Sequence, residues 1–182
     1  PLHSRPYILI LGRLVEQKNP LLALELYYQG EFYNQYDLIY LGKGPLESSL
    51  KNRIYDCKLQ DYVYLLGFQK NPELWIMNAS LLLSCSRYEG FSMNLVEALI
   101  CGTPVVAVDC SYGPGEILID ELREYLISPE ENMQKSIAII SSALKSYPDI
   151  SRKYYERFDN EIITKRYLSI WQDYFGRYKH SH

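Results

Sequence analysis

The stretch from Leu81 to Ala107, LLLSCSRYEGFSMNLVEALICGTPVVA, constrains the fold more than any other part of the chain. An apolar run ends at Leu83 and gives way to a polar turn from Ser84 to Gly90. Leu95, Val96, Leu99 and Ile100 follow at the spacing of one helical face. Cys101-Gly102-Thr103-Pro104 stops that segment, and Val105 to Val108 opens a second apolar run. Strand, polar turn, helix, glycine stop and strand make one crossover of a parallel sheet.

The turn is where chemistry is expected, because ligands of open parallel sheets sit beyond the carboxyl ends of the strands. A helix beginning near Ser92 or Met93 aims free backbone N–H groups into that space. With the helix dipole, these favour a phosphate or another anion. Glu89 stands in the turn, and Glu97 in the second helical turn, off the apolar face. An ionised carboxylate only accepts hydrogen bonds, so these residues suit sugar or ribose hydroxyls rather than phosphate. The Glu89-x7-Glu97 spacing alone says little, since 14 residues are Glu and the spacing recurs at Glu116 and Glu124. Only the first pair falls between a strand end and a helix start.

The rest of the chain repeats this plan. Tyr7–Leu11, Leu38–Leu41, Val63–Leu66, Leu81–Ser84 and Pro104–Val108 read as buried strands. A sixth, edge strand is read at Glu124–Ile127. Helices are expected from Pro20, from Pro45 to Tyr55, from Pro72 to Asn78 with Leu74 and Trp75 inward, and from Pro114. A further helix from about Glu130 should place Met133, Ile137, Ile140 and Leu144 on one face until Pro148 breaks it. Ser151 to Phe158 reads as a short helix, and Ile163, Tyr167, Ile170, Trp171, Tyr174 and Tyr178 as a final apolar stripe.

These elements predict an α/β fold: a Rossmann-like, doubly wound parallel sheet of about six strands with helices on both faces. Five strands end in polar or glycine-rich turns, at Gly12-Arg13, Gly42-Lys43-Gly44, Gly67-Phe68, Ser84 to Gly90 and Asp109 to Gly115. In a doubly wound sheet these turns share one rim, which signals a nucleotide-type ligand. Arg13 and Lys18 fall on that rim and read either as a two-pronged clamp on a diphosphate or as solvated surface cations. Phe68 reads either as a base-stacking ring or as core. Gly42-Lys43-Gly44 lacks the third glycine of a dinucleotide fingerprint and follows the second strand, which argues against NAD.

Composition removes other classes. The net charge of −3 and the scattered basic residues argue against nucleic acid and anionic lipid as general partners. No apolar stretch is long enough to span a bilayer, and no signal-peptide pattern opens the chain. It begins Pro1-Leu2-His3 without Met, as an excised piece of a longer protein would. His3, His180 and His182 are the three histidines, so the body has no residue for Ser-His-Asp or Cys-His catalysis. No Asp-x-Asp pair offers a divalent metal site. Cys57, Cys85, Cys101 and Cys110 form no C-x-x-C pair and read as free thiols in a reducing compartment.

The ordered set Gly12-Arg13, Lys18-Asn19, Gly42-x-Gly44-Pro45, Gly67-Phe68, Ser86-x-x-Glu89-Gly90-Phe91, Glu97-Ala98 and Gly102-Thr103-Pro104-Val105-Val106 resembles the carboxyl-terminal lobe of GT-B glycosyltransferases, family 4 type. The likeness covers nearly the whole chain. Tyr112-Gly113-Pro114-x-Glu116-Ile117-Leu118 is similar to members that build bacterial surface polysaccharides, lipopolysaccharide among them. The resemblance implies a single donor-binding domain over residues 1–182, with residues 160–182 a terminal helix that crosses to an amino-terminal lobe. It implies a retaining hexosyltransferase that takes a nucleotide-diphospho-sugar, with uracil the expected base by family frequency alone, and that needs no metal.

By the same resemblance, Arg13 and Lys18 grip the diphosphate and Glu89 faces the sugar hydroxyls. Gly12, Gly44 and the backbone of Gly90, Phe91, Ser92, Met93, Asn94 and Leu95 line the donor. Glu97 holds the ribose, and Phe68, Gln69 and Lys70 lie along the base. Partners implied are the donor, a glycan or lipid-linked acceptor and the amino-terminal lobe. The implied setting is cytoplasmic, with membrane contact only through that other lobe. Cys85 and Ser92 replace the Pro and Gly common in relatives. One lobe without its partner is expected to bind donor weakly and to transfer nothing alone. A nucleotide-sugar epimerase would want histidine near the diphosphate, and a receiver-like signalling domain would want acids where Arg13 stands. A binding module that kept the nucleotide site without transfer fits the same residues.

Overall fold

The computed structural model describes residues 3–161, 163, 164 and 168. Six parallel strands form one sheet in the order β3-β2-β1-β4-β5-β6. They are β1 Tyr7–Leu11, β2 Asp37–Leu41, β3 Val63–Gly67, β4 Leu81–Ser84, β5 Val105–Val108 and β6 Leu126–Ile127. The expected α/β class and doubly wound plan are therefore observed. The strands are continuous apolar runs because helices cover both faces: β2, β4 and β5 are buried throughout.

The helices are α1 Pro20–Gln29, α2 Glu47–Asp56, α3 Pro72–Asn78, α4 Met93–Ile100, α5 Pro114–Ile117 and α6 Met133–Lys145. Crossovers run outward from β1 in one direction and from β4 in the other. With right-handed connections this puts α1 and α2 on one face and α3, α4 and α5 on the other. Packing of α1 against α2 and α6, and of α4 against α3 and α5, agrees with that division. The order reverses between β1 and β4, which pair through Ile8↔Leu81 and Leu9↔Leu82. The switch point thus lies where the Gly12-Arg13 turn meets the Ser84–Gly90 turn.

Three expectations are corrected. Glu124 and Tyr125 belong to a 3-10 helix, Asp120–Tyr125, so the edge strand is only Leu126–Ile127. Tyr125 is drawn inward, its hydroxyl donating to the Ser146 carbonyl at 3.1 Å and its ring 4.3 Å from Tyr147. In α3 Trp75 packs half-buried against the core as read, but the fully buried residue is Ile76, and Leu74 is 44% exposed. The Ile76 carbonyl accepts from Thr103 Oγ1 at 2.6 Å, a long-range contact that sets the helix rotation. In α6 Met133, Ile137, Ile140 and Leu144 do share the face that packs on the core, Ile140 buried and the others half-buried, and the small Ser136 and Ala143 are buried on the same face. Ser151 to Phe158 is not one helix but two 3-10 turns, Arg152–Tyr154 and Glu156–Phe158, pinned by the fully buried Tyr154. In addition, α2 starts at Glu47, two residues past Pro45. The aromatic stripe at Tyr167, Ile170, Trp171, Tyr174 and Tyr178 lies outside the described residues.

Candidate functional site

The turns at the carboxyl ends of the strands are bonded to one another. The Gly12 amide donates to the Leu41 carbonyl at 3.0 Å, and the Gly42 amide to the Gly67 carbonyl at 2.8 Å. These bonds extend the ladder one residue past each strand. On the other side of β1, the Arg87 amide donates to the Gln17 carbonyl at 2.8 Å, and Gln17 Nε2 to the Tyr88 carbonyl at 3.0 Å. Asn94 Nδ2 donates to the Leu11 carbonyl at 3.2 Å, which holds the start of α4 over the end of β1. The turn after β5 closes the group. Gly113 adopts φ +94°, and a Cβ there would stand 3.3 Å from both the amide nitrogen and Oγ of Ser92.

At the centre Lys18 Nζ meets Glu89 Oε1 at 2.5 Å, across 71 residues of sequence. Ser86 Oγ donates to the same oxygen at 2.6 Å. The Glu89 side chain is only 7% exposed. Both donors take Oε1, and among the described residues no side chain donates to Oε2. Arg13 stands beside them, exposed and with no ion-pair partner among the described residues. A cation and an acid therefore sit side by side at the switch point, with a second cation adjacent.

The start of α4 offers part of what the sequence promised. Ser92 is its N-cap, but the Ser92 hydroxyl caps nothing and is buried without a hydrogen-bond partner among the described residues. The Met93 amide donates to the Phe91 carbonyl at 3.1 Å and the Leu95 amide to the Ser92 carbonyl at 3.0 Å, so these two of the six expected amides are already engaged. Those of Gly90, Phe91, Ser92 and Asn94 have no backbone acceptor among the described residues. Leu95 is fully buried in the core. The Phe91 ring is 40% exposed and packs edge-on against Phe158 at 5.2 Å.

Beside Arg13 lies a hollow of about 380 Å³ over the ends of β1, β2 and β3, lined by Leu11, Gly12, Arg13, Leu41, Gly42, Lys43, Phe68, Gln69 and Pro72. Phe68 is not core: its ring is 77% exposed. Lys70 is exposed on the same turn. Gly44 serves packing, since a Cβ there would lie 2.3 Å from the Leu14 carbonyl oxygen. Glu97 does not line this hollow. It projects from α4 with its carboxyl partly shielded from water, within the field of Glu73 in the first turn of α3. Burial, and then the Glu73 charge, hold its carboxyl above the usual carboxylate range.

Three contributors escaped the sequence reading: Lys43 on the hollow, Glu73 beside Glu97, and Gln17 as a tie between turns. Glu73 was legible in principle, being an acid in the first turn of a helix that starts on the rim. The four cysteines are free thiols, and burial pushes that of Cys85 up to about 12. Among the described residues no three metal-ligating side chains cluster, and no helix is long and apolar enough to cross a membrane.

Comparison with known proteins gives a consistent family. A family model described as glycosyl transferases group 1 matches residues 2–163. An uncharacterized glycosyltransferase of Methanocaldococcus jannaschii is 39% identical over 90% of this chain and 35% of its own length. The poly(glycerol-phosphate) alpha-glucosyltransferase of Bacillus subtilis is 33% identical over 75% of this chain and 20% of its own. Among solved structures, a variant of S. aureus TarM in complex with fondaparinux, alpha-GlcNAc-glycerol and UDP superposes with a TM-score of 0.79 at 26% identity. That match covers 95% of this chain and 36% of TarM. The chain thus spans about a third or less of the length of these relatives.

Proposed function

The chain belongs to the glycosyl transferases group 1 family and has a GT-B-type Rossmann-like fold, and from that premise we propose that its carboxyl-end rim holds a nucleotide-diphospho-sugar for sugar transfer. The observation that carries this reading is the Lys18–Glu89 pair at the switch point, with Arg13 beside it and the start of α4 fixed above it. A family relative acts on poly(glycerol-phosphate), and a structural relative is bound to UDP; both favour a UDP-sugar and a polymeric acceptor. Lipopolysaccharide or another surface polysaccharide is the setting in which such an acceptor is extended.

Breaking a glycosyl–phosphate bond builds positive charge on the sugar and negative charge on the departing diphosphate. Arg13, Lys18 and the free amides at the start of α4 stabilise the second charge more in the transition state than in the ground state. This cationic set supplies the role that a metal would otherwise fill, so the reading takes no bound metal. Lys18 moves from Glu89 to the diphosphate when donor arrives. Glu89, still held by Ser86, then accepts from a sugar hydroxyl. Glu97, joined by Glu73, faces the ribose hydroxyls, and the turn from Gly67 to Lys70 lies along the base. Transfer proceeds with retention, the departing phosphate helping to take the acceptor proton. The acceptor and the remaining catalytic surface come from an amino-terminal lobe.

Thermal unfolding of the chain with nucleoside diphosphates and their sugars tests the reading, because a ligand bound to the native state raises apparent stability. At least one diphosphate should raise the midpoint at millimolar concentration. A flat response across uridine, guanosine, adenosine and cytidine diphosphates and their sugars would overturn it.

A further inference from the structure

The proposed chemistry leaves Lys43 without a role, yet the fold goes to some length to place it. A Cβ on Gly42 would lie 1.9 Å from the Gly12 carbonyl oxygen, and one on Gly44 2.3 Å from that of Leu14. No side chain fits at either position, so the turn lies flat on the loop after β1. The Lys43 carbonyl is fixed as well, accepting from the Leu14 amide at 3.1 Å. The side chain is thereby carried across Gly67, its Cε 3.0 Å from where a Cβ on Gly67 would stand. It lines the hollow beside Arg13. Glu47, whose field reaches it, is bonded instead to Lys51 at 2.7 Å.

Gln69 is the neutral polar side chain of this hollow. Its Nε2 donates to the Leu66 carbonyl at 3.0 Å. A carbonyl only accepts, so the amide nitrogen must face Leu66, and Oε1 remains as a free acceptor. The slot therefore has apolar walls, an exposed Phe68 ring, two cations that only donate, Arg13 and Lys43, and the Gln69 amide, whose oxygen only accepts; Lys43 and that oxygen form a donor–acceptor pair from the turns after β2 and β3. A flat ring presenting a carbonyl next to a ring N–H matches that pair. Uracil, thymine and guanine present it. Cytosine and adenine present an amino group and a bare ring nitrogen there, which opposes donor to donor and acceptor to acceptor.

We propose that Lys43, with Gln69, selects a donor whose nucleobase carries this carbonyl–imino edge. The inference rests on the donor-site reading and adds the base class and the residue that sets it.

Calorimetric titration of the chain with UDP against CDP, and with GDP against ADP, tests it, since each pair differs at that edge. In the pair whose ring size fits the slot, the carbonyl base should bind about tenfold tighter or more, the scale of discrimination when site groups are left unpaired. Lys43→Met keeps the apolar stem and is exposed, so folding, checked by circular dichroism, should be unaffected. It should shrink the preference to about threefold or less while leaving the amino-base affinity within about twofold. Equal loss for both bases would place Lys43 on the phosphates and overturn the inference. So would equal affinity in both pairs for the unaltered chain. Either result leaves the donor reading standing, whereas failure to bind any of the four diphosphates brings down both.

Discussion

The two ends of the sheet treat charge in opposite ways. At the amino end, Asp37 opens β2 and is 1% exposed. Arg5 donates to Oδ1 at 2.7 Å and His3 to Oδ2 at 2.6 Å. Arg5 also donates to the Tyr33 carbonyl at 3.1 Å and lies over the Tyr62 ring, and His3 rests edge-on against Tyr64 at 4.9 Å. Each oxygen of Asp37 has its own donor, and aromatic rings close over the group. At the carboxyl end, both donors to Glu89 share one oxygen, the Ser92 hydroxyl is buried without a partner, and Arg13 and Lys43 stand free among the described residues. Saturated charge pins the chain as it enters the sheet. Unsaturated charge on a braced rim is available to something that arrives later.

Substitutions should separate the two ends. Asp37→Ala leaves Arg5 and His3 facing a buried gap, and urea denaturation should show a loss of about 3 kcal/mol. Diphosphate affinity of the remaining folded chain should be unchanged. Lys18→Ala should do the reverse. In the intact enzyme, turnover should fall at least about tenfold, or ~1.4 kcal/mol of barrier, while the stability loss stays well below that of Asp37→Ala. Turnover unaltered by this change would remove the clamp from the mechanism.

Smaller effects sharpen the contrast. Glu89→Gln preserves shape and frees Lys18, so a nucleoside diphosphate without sugar should bind about threefold tighter in titration, a repulsion between like charges having been removed. The corresponding nucleotide sugar should not gain, because its hydroxyl loses an ionised acceptor. Acid should weaken donor binding as Glu97 takes up a proton, and at a higher pH than an ordinary carboxylate would require. Glu73→Gln should move that midpoint downward but not abolish the shift, since burial is its larger cause. The stability term runs the other way. A carboxyl raised in the folded state stabilises in acid, and that contribution is lost as pH rises through the raised value. Glu97→Gln should therefore stabilise the chain slightly at neutral pH and not in acid.

The strands were legible because burial on both faces writes itself as continuous apolar runs with glycine ends; Tyr7–Leu11 and Leu81–Ser84 are found as read. Pro20, Pro72 and Pro114 likewise mark the first residues of their helices. What failed depended on partners far away in sequence. Ile76 rather than Leu74 turns inward because Thr103 holds its carbonyl. Tyr125 leaves the strand pattern because Ser146 and Tyr147 draw it in. In the site, Arg13, Lys18 and Glu89 lie on one rim, but a contact between residues 71 apart is invisible in the sequence. Lys43 was passed over because Gly-x-Gly looks like any tight turn. Only the crowding of Gly42 and Gly44 against the loop after β1 reveals that the turn is built to aim a side chain.

Backbone amide chemical shifts followed by NMR during titration with a nucleoside diphosphate compare the two ends in one experiment. Saturable shifts are expected at Gly12, Gly42, Gly67, Gly90 and Asn94, with Asp37 and its neighbours still. Shifts centred on Asp37, or scattered over both ends without saturation, would contradict it.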